Sequence, residues 1–242
     1  MNIQKRDLEE ELKILSINDD DDLGNSLPQK PQKLQLVCDA GYGFPIEGRP
    51  RREKILAVSK QLYNFLEWQK LASEKKGEEK EKNPADIIIV GCENIKNEKA
   101  IQDRLRVLCA GELPENLHFS SRPLESFAET AVYLSPDADT VLGVNQPPPS
   151  QVIIGLLIDR RIQPNRSLKR ATSQLKFHKC ARLGLDQIFP NNVIDPSEPL
   201  NVDTVLIAMQ EWWWNPEKFG DSMELALQHH IERHPNRPIH KK

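Results

Sequence analysis

The stretch VIIGLLIDRR, Val152 to Arg161, sets seven apolar or glycine residues directly ahead of an Asp-Arg-Arg triplet. A short continuous apolar run closed by polar residues reads as an interior strand of a parallel sheet, covered on both faces. The strand is expected over Val152–Ile158. In an open α/β sheet, ligands bind beyond the carboxyl ends of the strands, which is where Asp159 should sit. Two readings of that carboxylate stand side by side. One is a loop salt bridge or helix cap. The other is a general base, able to take a proton from a nucleophile such as a purine N1. Gly155 weakens the strand interior, and so points to close approach by a ligand or by another part of the chain.

Upstream, LQLVC (Leu34–Cys38) and DIIIV (Asp86–Val90) have the same strand character. Shorter strands are expected at Leu117–Phe119, Ala131–Leu134 and Cys180–Leu183. Between them, Ile55, Val58, Leu62, Phe65 and Leu66 recur at helical spacing, which predicts a helix over Arg51–Ala72. Further helices are expected over Glu98–Cys109, Ser167–Leu175, Val202–Trp214 and Phe219–Arg233, with a helical turn near Pro123–Phe127. Strands alternating with helices imply an α/β fold with a parallel sheet and helices on both faces. Neither a G-x-G-x-x-G nor a G-x-x-x-x-G-K loop occurs, which counts against a Rossmann dehydrogenase and a P-loop NTPase.

The 242 residues are 38% hydrophobic and 29% charged, the balance of a soluble globular chain. No apolar run approaches the ~18–20 residues needed to span a bilayer, so no membrane partner is expected. The start, MNIQKRDLEEELKIL, lacks the apolar segment of a secretory signal, and an intracellular setting, cytoplasm or nucleus, is expected. Cys38, Cys92, Cys109 and Cys180 are scattered, with no histidine at zinc-ligand spacing, so no metal site is expected. Residues 1–33 carry clustered charge and little apolar content, and read as an acidic, disordered tail. Residues 34–235 form the folded domain, and 236–242 a basic tail.

Net charge is −3, yet residues 1–30 hold eight acids against four bases, so the remainder sums to +1. Arg160 to Leu185 contains eight Lys or Arg and no Asp or Glu. Such a block at a strand end is the electrostatic footprint of a polyanion partner. Of Trp212–Trp214, which cannot share one helix face, one should pack in the core. An exposed one near the basic block could stack on a base.

Four strings in order, VYLSPDADTVL (132–142), VIIGLLIDRR (152–161), CARLGLD (180–186) and LNVDTVLIAM (200–209), resemble successive motifs of one family. It is the tRNA position-9 N1-purine methyltransferase family, a branch of the SPOUT superfamily of knotted methyltransferases. LQLVCDAGYGF (34–44) and SKQLYNFLEW (59–68) resemble that family's first strand and helix. The resemblance implies a deep trefoil knot in the C-terminal half, three of whose loops hold S-adenosylmethionine. It places Leu134, Ser135, Gly155, Ala181, Arg182, Leu183, Asn201, Val202 and Asp203 at the cofactor, and Asp159 as the general base. Gln61 would lie near the target base, and Arg160, Arg161, Arg166, Lys169, Arg170 and Lys176 would hold tRNA phosphates. The enzyme would be a monomer.

The chain also departs from the family pattern. Leu156 stands for the second glycine of a G-G pair, Arg161 for an Asn, Gly184 for a proline and Asp203 for an Asn. Leu156 is expected to narrow the cofactor pocket. An acidic segment stands where the family has a basic N-terminal arm, and a protein partner could compensate for it. Two other readings follow from these departures: a non-catalytic tRNA-binding subunit of the same fold, or a methyltransferase of another RNA.

Overall fold

The computed structural model describes residues 33–74, 83–92, 94–143, 145–158, 163–185 and 200–233. The expected acidic tail up to residue 32 and the basic stretch 236–242 lie outside the described residues. Among the described residues, no helix is long and apolar enough to cross a membrane.

Seven parallel strands form the sheet: β1 (Gln35–Asp39), β2 (Asp86–Val90), β3 (Leu117–Phe119), β4 (Val132–Leu134), β5 (Val141–Leu142), β6 (Gln151–Gly155) and β7 (Cys180–Leu183). Their order is β3-β2-β1-β6-β4-β7-β5. The chain first builds outward from β1 through β2 to β3, then resumes on the other side of β1. That reversal leaves a crevice at the carboxyl ends of β1 and β6, where α/β sheets bind ligands.

Alternation along the strands separates two cores. Leu36, Cys38, Val152 and Ile154 face one side, packed with residues of α1 (Gly48–Glu74), α2 (Ile95–Leu108), α4 (Val202–Trp214) and α5 (Phe219–Arg233). Val37, Tyr133 and Ile153 face the other, a thinner layer formed by the turn Leu124–Phe127 and by α3, which runs from Arg166 to Gln174. Helix α3 starts as Arg166–Lys169 and continues as a π-helical turn over Arg170–Gln174. Helices thus lie on both faces, unequally.

Four departures from the sequence expectation stand out. Strand β6 stops at Gly155 rather than Ile158, and beyond it the Leu156 N–H donates to Asp39 O (2.8 Å). Val141–Leu142, expected as loop, forms a two-residue edge strand on β7. Helix α2 begins earlier than its apolar periodicity, because Asn94 caps it by accepting from the Lys96 N–H (2.8 Å). Arg170–Gln174 is wound wider than the expected α-helix, with the Leu175 N–H reaching back to Arg170 O.

Trp212 is fully buried, edge-on to Phe219 at 4.7 Å, and its indole N–H donates to Pro216 O. Trp214 stacks on Trp68 and donates to Asn83 O at the amino end of the sheet, away from α3. Neither Trp212 nor Trp214 therefore presents a stacking face beside the basic block. Trp212→Ala removes the largest buried side chain and should cost about 3–5 kcal/mol, read from chemical denaturation.

Candidate functional site at the carboxyl ends of the strands

Strand β1 ends in a carboxylate that has no solvent exposure. Asp39 accepts from the Gly41 N–H (Oδ1, 2.8 Å), the Tyr133 hydroxyl (Oδ2, 2.8 Å) and two nitrogens of Arg170 (Nε to Oδ2, 2.6 Å; Nη2 to Oδ1, 2.9 Å). Bidentate guanidinium pairing in a dry site is the strong form of this contact. Burial alone would lower the pKa of Arg170, but its hydrogen bonds and attraction to Asp39 outweigh that and raise it.

Tyr42 extends the network. Its hydroxyl and that of Tyr133 are 2.7 Å apart, and the guanidiniums of Arg166 and Arg170 lie 5.7 and 5.1 Å from its ring centroid. Burial first, and for Tyr133 the Asp39 charge next, push both phenols above their ordinary range. Both therefore stay neutral. Cys38 and Cys92 are likewise driven up to about 12, by burial first, and are thiols rather than nucleophilic thiolates.

The glycines here answer to this packing. A Cβ on Gly155 would lie 2.7 Å from Tyr42 Cε2, and one on Gly41 would overlap the Arg170 guanidinium. Gly91 has φ +75°, with Asp39 Oδ1 3.2 Å from where a Cβ would sit. The close approach inferred at Gly155 is therefore made by the Tyr42 side chain.

Leu134, Ser135, Gly155, Ala181, Arg182 and Leu183, six of the residues assigned to cofactor binding, lie on three adjacent strands or directly after one. Strands β6, β4 and β7 are adjacent, pairing Leu134 with Ile154 and with Ala181, and the Ser135 N–H donates to Ala181 O. Leu134, Leu156, Ala181, Leu183 and Val202 share one apolar cluster. Leu156 is 1% exposed within it. Arg182 is half-buried, its N–H bonded to Thr140 O. Asn201 and Asp203 are buried at the start of α4, where Asp203 accepts from the Asn64 amide (2.9 Å).

Gln61, expected near a target base, is 8% exposed, and its Oε1 accepts from the Val202 N–H (2.7 Å). It anchors the start of α4. Ser135 and Asp137 tie the first motif to the basic helix: Ser135 Oγ meets Ser167 Oγ at 2.8 Å, and Asp137 accepts from the Asn165 N–H. Arg166 is half-buried, and Lys169 and Lys176 are exposed. Arg170, expected to hold tRNA phosphates, points inward to Asp39 with 15% of its side chain exposed. Asp159, Arg160 and Arg161 lie outside the described residues.

Sequence reasoning missed Asp39, Tyr42 and Tyr133. Asp39 closes the apolar run LQLVC as Asp159 closes VIIGLLI, so the same signal was present. Among the described residues, no cluster of His, Cys, Asp and Glu could hold a metal ion.

No protein-family model and no curated protein sequence matches the chain. Solved structures do. The chain is similar to spTrm10 (full length) in complex with SAH, with TM-score 0.58 and 16% identity over 80% of this chain and 94% of that one. It is also similar to spTrm10(74), with TM-score 0.58 and 16% identity, covering 80% and 93%. Dual specific Trm10 from Thermococcus kodakaraensis matches with TM-score 0.50 and 12% identity, covering 80% and 99%. At these identities the likeness shows a shared fold.

Two outcomes follow from the network. Arg170→Ala strands a buried carboxylate and should cost about 3–5 kcal/mol in urea unfolding. Gly155→Ala should cost about 1–3 kcal/mol through overlap with Tyr42, and a companion Tyr42→Ala should recover part of that loss.

Proposed function

We propose that this chain is an S-adenosylmethionine-dependent tRNA methyltransferase that modifies N1 of guanine, or of adenine, at position 9. The observation that carries the reading is the convergence of four sequence-distant motifs, residues 134–135, 155–156, 181–183 and 201–203, at one end of a sheet whose fold is shared with the SAH-bound spTrm10. The proposed domain spans 34–235, and the proposed knot lies in its C-terminal half. The adjacency of β6, β4 and β7, with Val202 of α4 in the same cluster, supports it.

The residues present suit an adenosyl group. Leu134, Leu156, Ala181, Leu183 and Val202 give the strand ends an apolar backing, while the strand ends themselves offer backbone donors and acceptors. The cofactor would supply an electrophilic methyl group. Asp159 accepts the N1 proton of guanine, freeing the lone pair that takes the methyl. N1 of adenine carries no proton, so the base is needed for one purine only. Arg166 and its basic neighbours hold the RNA in register.

A second reading, a non-catalytic tRNA-binding subunit, draws on Leu156, which fills space where the family pattern has glycine. Calorimetry with S-adenosylhomocysteine separates the two, because a chain that does not bind it cannot be the enzyme. Asp159→Asn should slow methylation of a position-9 guanine by about 10²-fold or more, with cofactor affinity unchanged. Methylation of a position-9 adenine should be spared. Undiminished guanine methylation would remove Asp159 from the role, and transfer to a tRNA with a pyrimidine at position 9 would overturn the substrate.

A further inference from the structure

We propose that buried amides of α1 set the axial position of α4, and that Asn64 thereby positions the turn Asn201–Asp203 for S-adenosylmethionine. This rests on the cofactor part of the reading above and gives it a residue outside the four motifs.

Three buried side chains of α1 reach across to α4. Gln61 Oε1 accepts from the Val202 N–H (2.7 Å), and the Asn64 amide donates to Asp203 Oδ2 (2.9 Å). Further along, the Gln69 amide donates to Gln210 Oε1 (2.9 Å). Leu62, Phe65, Leu206 and Ile207 belong to the apolar cluster of the same two helices. Apolar contacts alone would hold the helices together with less desolvation, but they accept many neighbours along a seam. A buried hydrogen bond has one partner at one height, so its effect is on register.

The start of α4 depends on α1 in a second way. Asn201 stands at the cap position, yet its side chain makes no capping bond. The first N–H groups of a helix have no partner within it. Here that of Val202 goes to Gln61, and that of Thr204 to Asp203 Oδ1 (3.0 Å). One oxygen of Asp203 thus closes its own turn while the other is tied to Asn64. A carboxylate supplies two acceptor oxygens for these two bonds, where the Asn of the family pattern would supply one. It also suits the positive end of the helix dipole. Displacing Asn64 is therefore felt at residues 201–203.

The test is calorimetry of the full chain with S-adenosylhomocysteine, well below the melting transition of each variant. Asn64→Ser, too short to reach Asp203, should weaken binding about tenfold. Asn64→Asp, which sets two carboxylates at hydrogen-bond distance, should weaken it at least as much. Adding Asp203→Asn to Asn64→Asp reverses donor and acceptor, and should recover most of that loss. Circular dichroism checks that each chain is folded, and Asn64→Ser decides where Asn64→Asp does not fold. Folded Asn64 variants that melt earlier yet bind as the unaltered chain does overturn the positioning role and leave the cofactor reading standing. A reversed pair that recovers the melting temperature but not the affinity overturns that role as well. An unaltered chain that does not bind S-adenosylhomocysteine overturns both.

Discussion

A carboxylate sealed from water at the end of β1 constrains everything around it. Removing one ion from solvent costs several kcal/mol, so Asp39 is tolerable only if every strong donor it needs is in place. Those donors come from its own turn (Gly41), from β4 (Tyr133) and from α3 (Arg170). Segments separated by about a hundred residues must therefore arrive together. Buried ion pairs add little net stability over well-packed apolar residues, so the effect of this one is on position. It determines where α3 lies against the sheet, and it accounts for the glycines at 41 and 91, whose side chains would collide with the pair or its turn.

That constraint also sorts the basic residues that composition alone treats as one block. Eight cations between Arg160 and Leu185 read as a uniform electrostatic face. The structure turns Arg170 inward to Asp39 and lays Arg166 over the Tyr42 ring, while Lys169 and Lys176 stay exposed. Net charge of −3 is thus a poor guide to local field, because a neutralised arginine and an exposed lysine count equally in a sum.

Much of the fold was legible, because apolar runs such as DIIIV and the helical stripe from Ile55 to Leu66 have one stable placement each. The strand at Val141–Leu142 was not, since two residues show no periodicity and gain strand form only by pairing with Arg182 and Leu183. Nor was the wide turn at Arg170–Gln174, which is fixed by tertiary contacts. For the site, Leu134, Ala181 and Val202, quoted from three separate motifs, lie in the same hydrophobic core. Gln61 and Arg170 could not be placed from sequence. A buried amide capping α4 and an arginine turned inward depend on partners, Val202 and Asp39, that are far away along the chain.

Leu156 in the place of a second glycine bears on how the strand end is built. The two positions of that pair face opposite sides of the sheet. Residue 155 lies against Tyr42, where a Cβ has no room, so glycine is required there. Residue 156 turns to the other face and is buried in the core that also holds Leu134 and Ala181, where a side chain finds apolar neighbours. Its backbone course is held by the N–H donated to Asp39 O, a bond that makes no demand on the side chain. A leucine is therefore compatible with the strand end as built. Its consequence is confined to the apolar wall that the cofactor reading assigns to this face, where it adds four carbons of surface that glycine would lack.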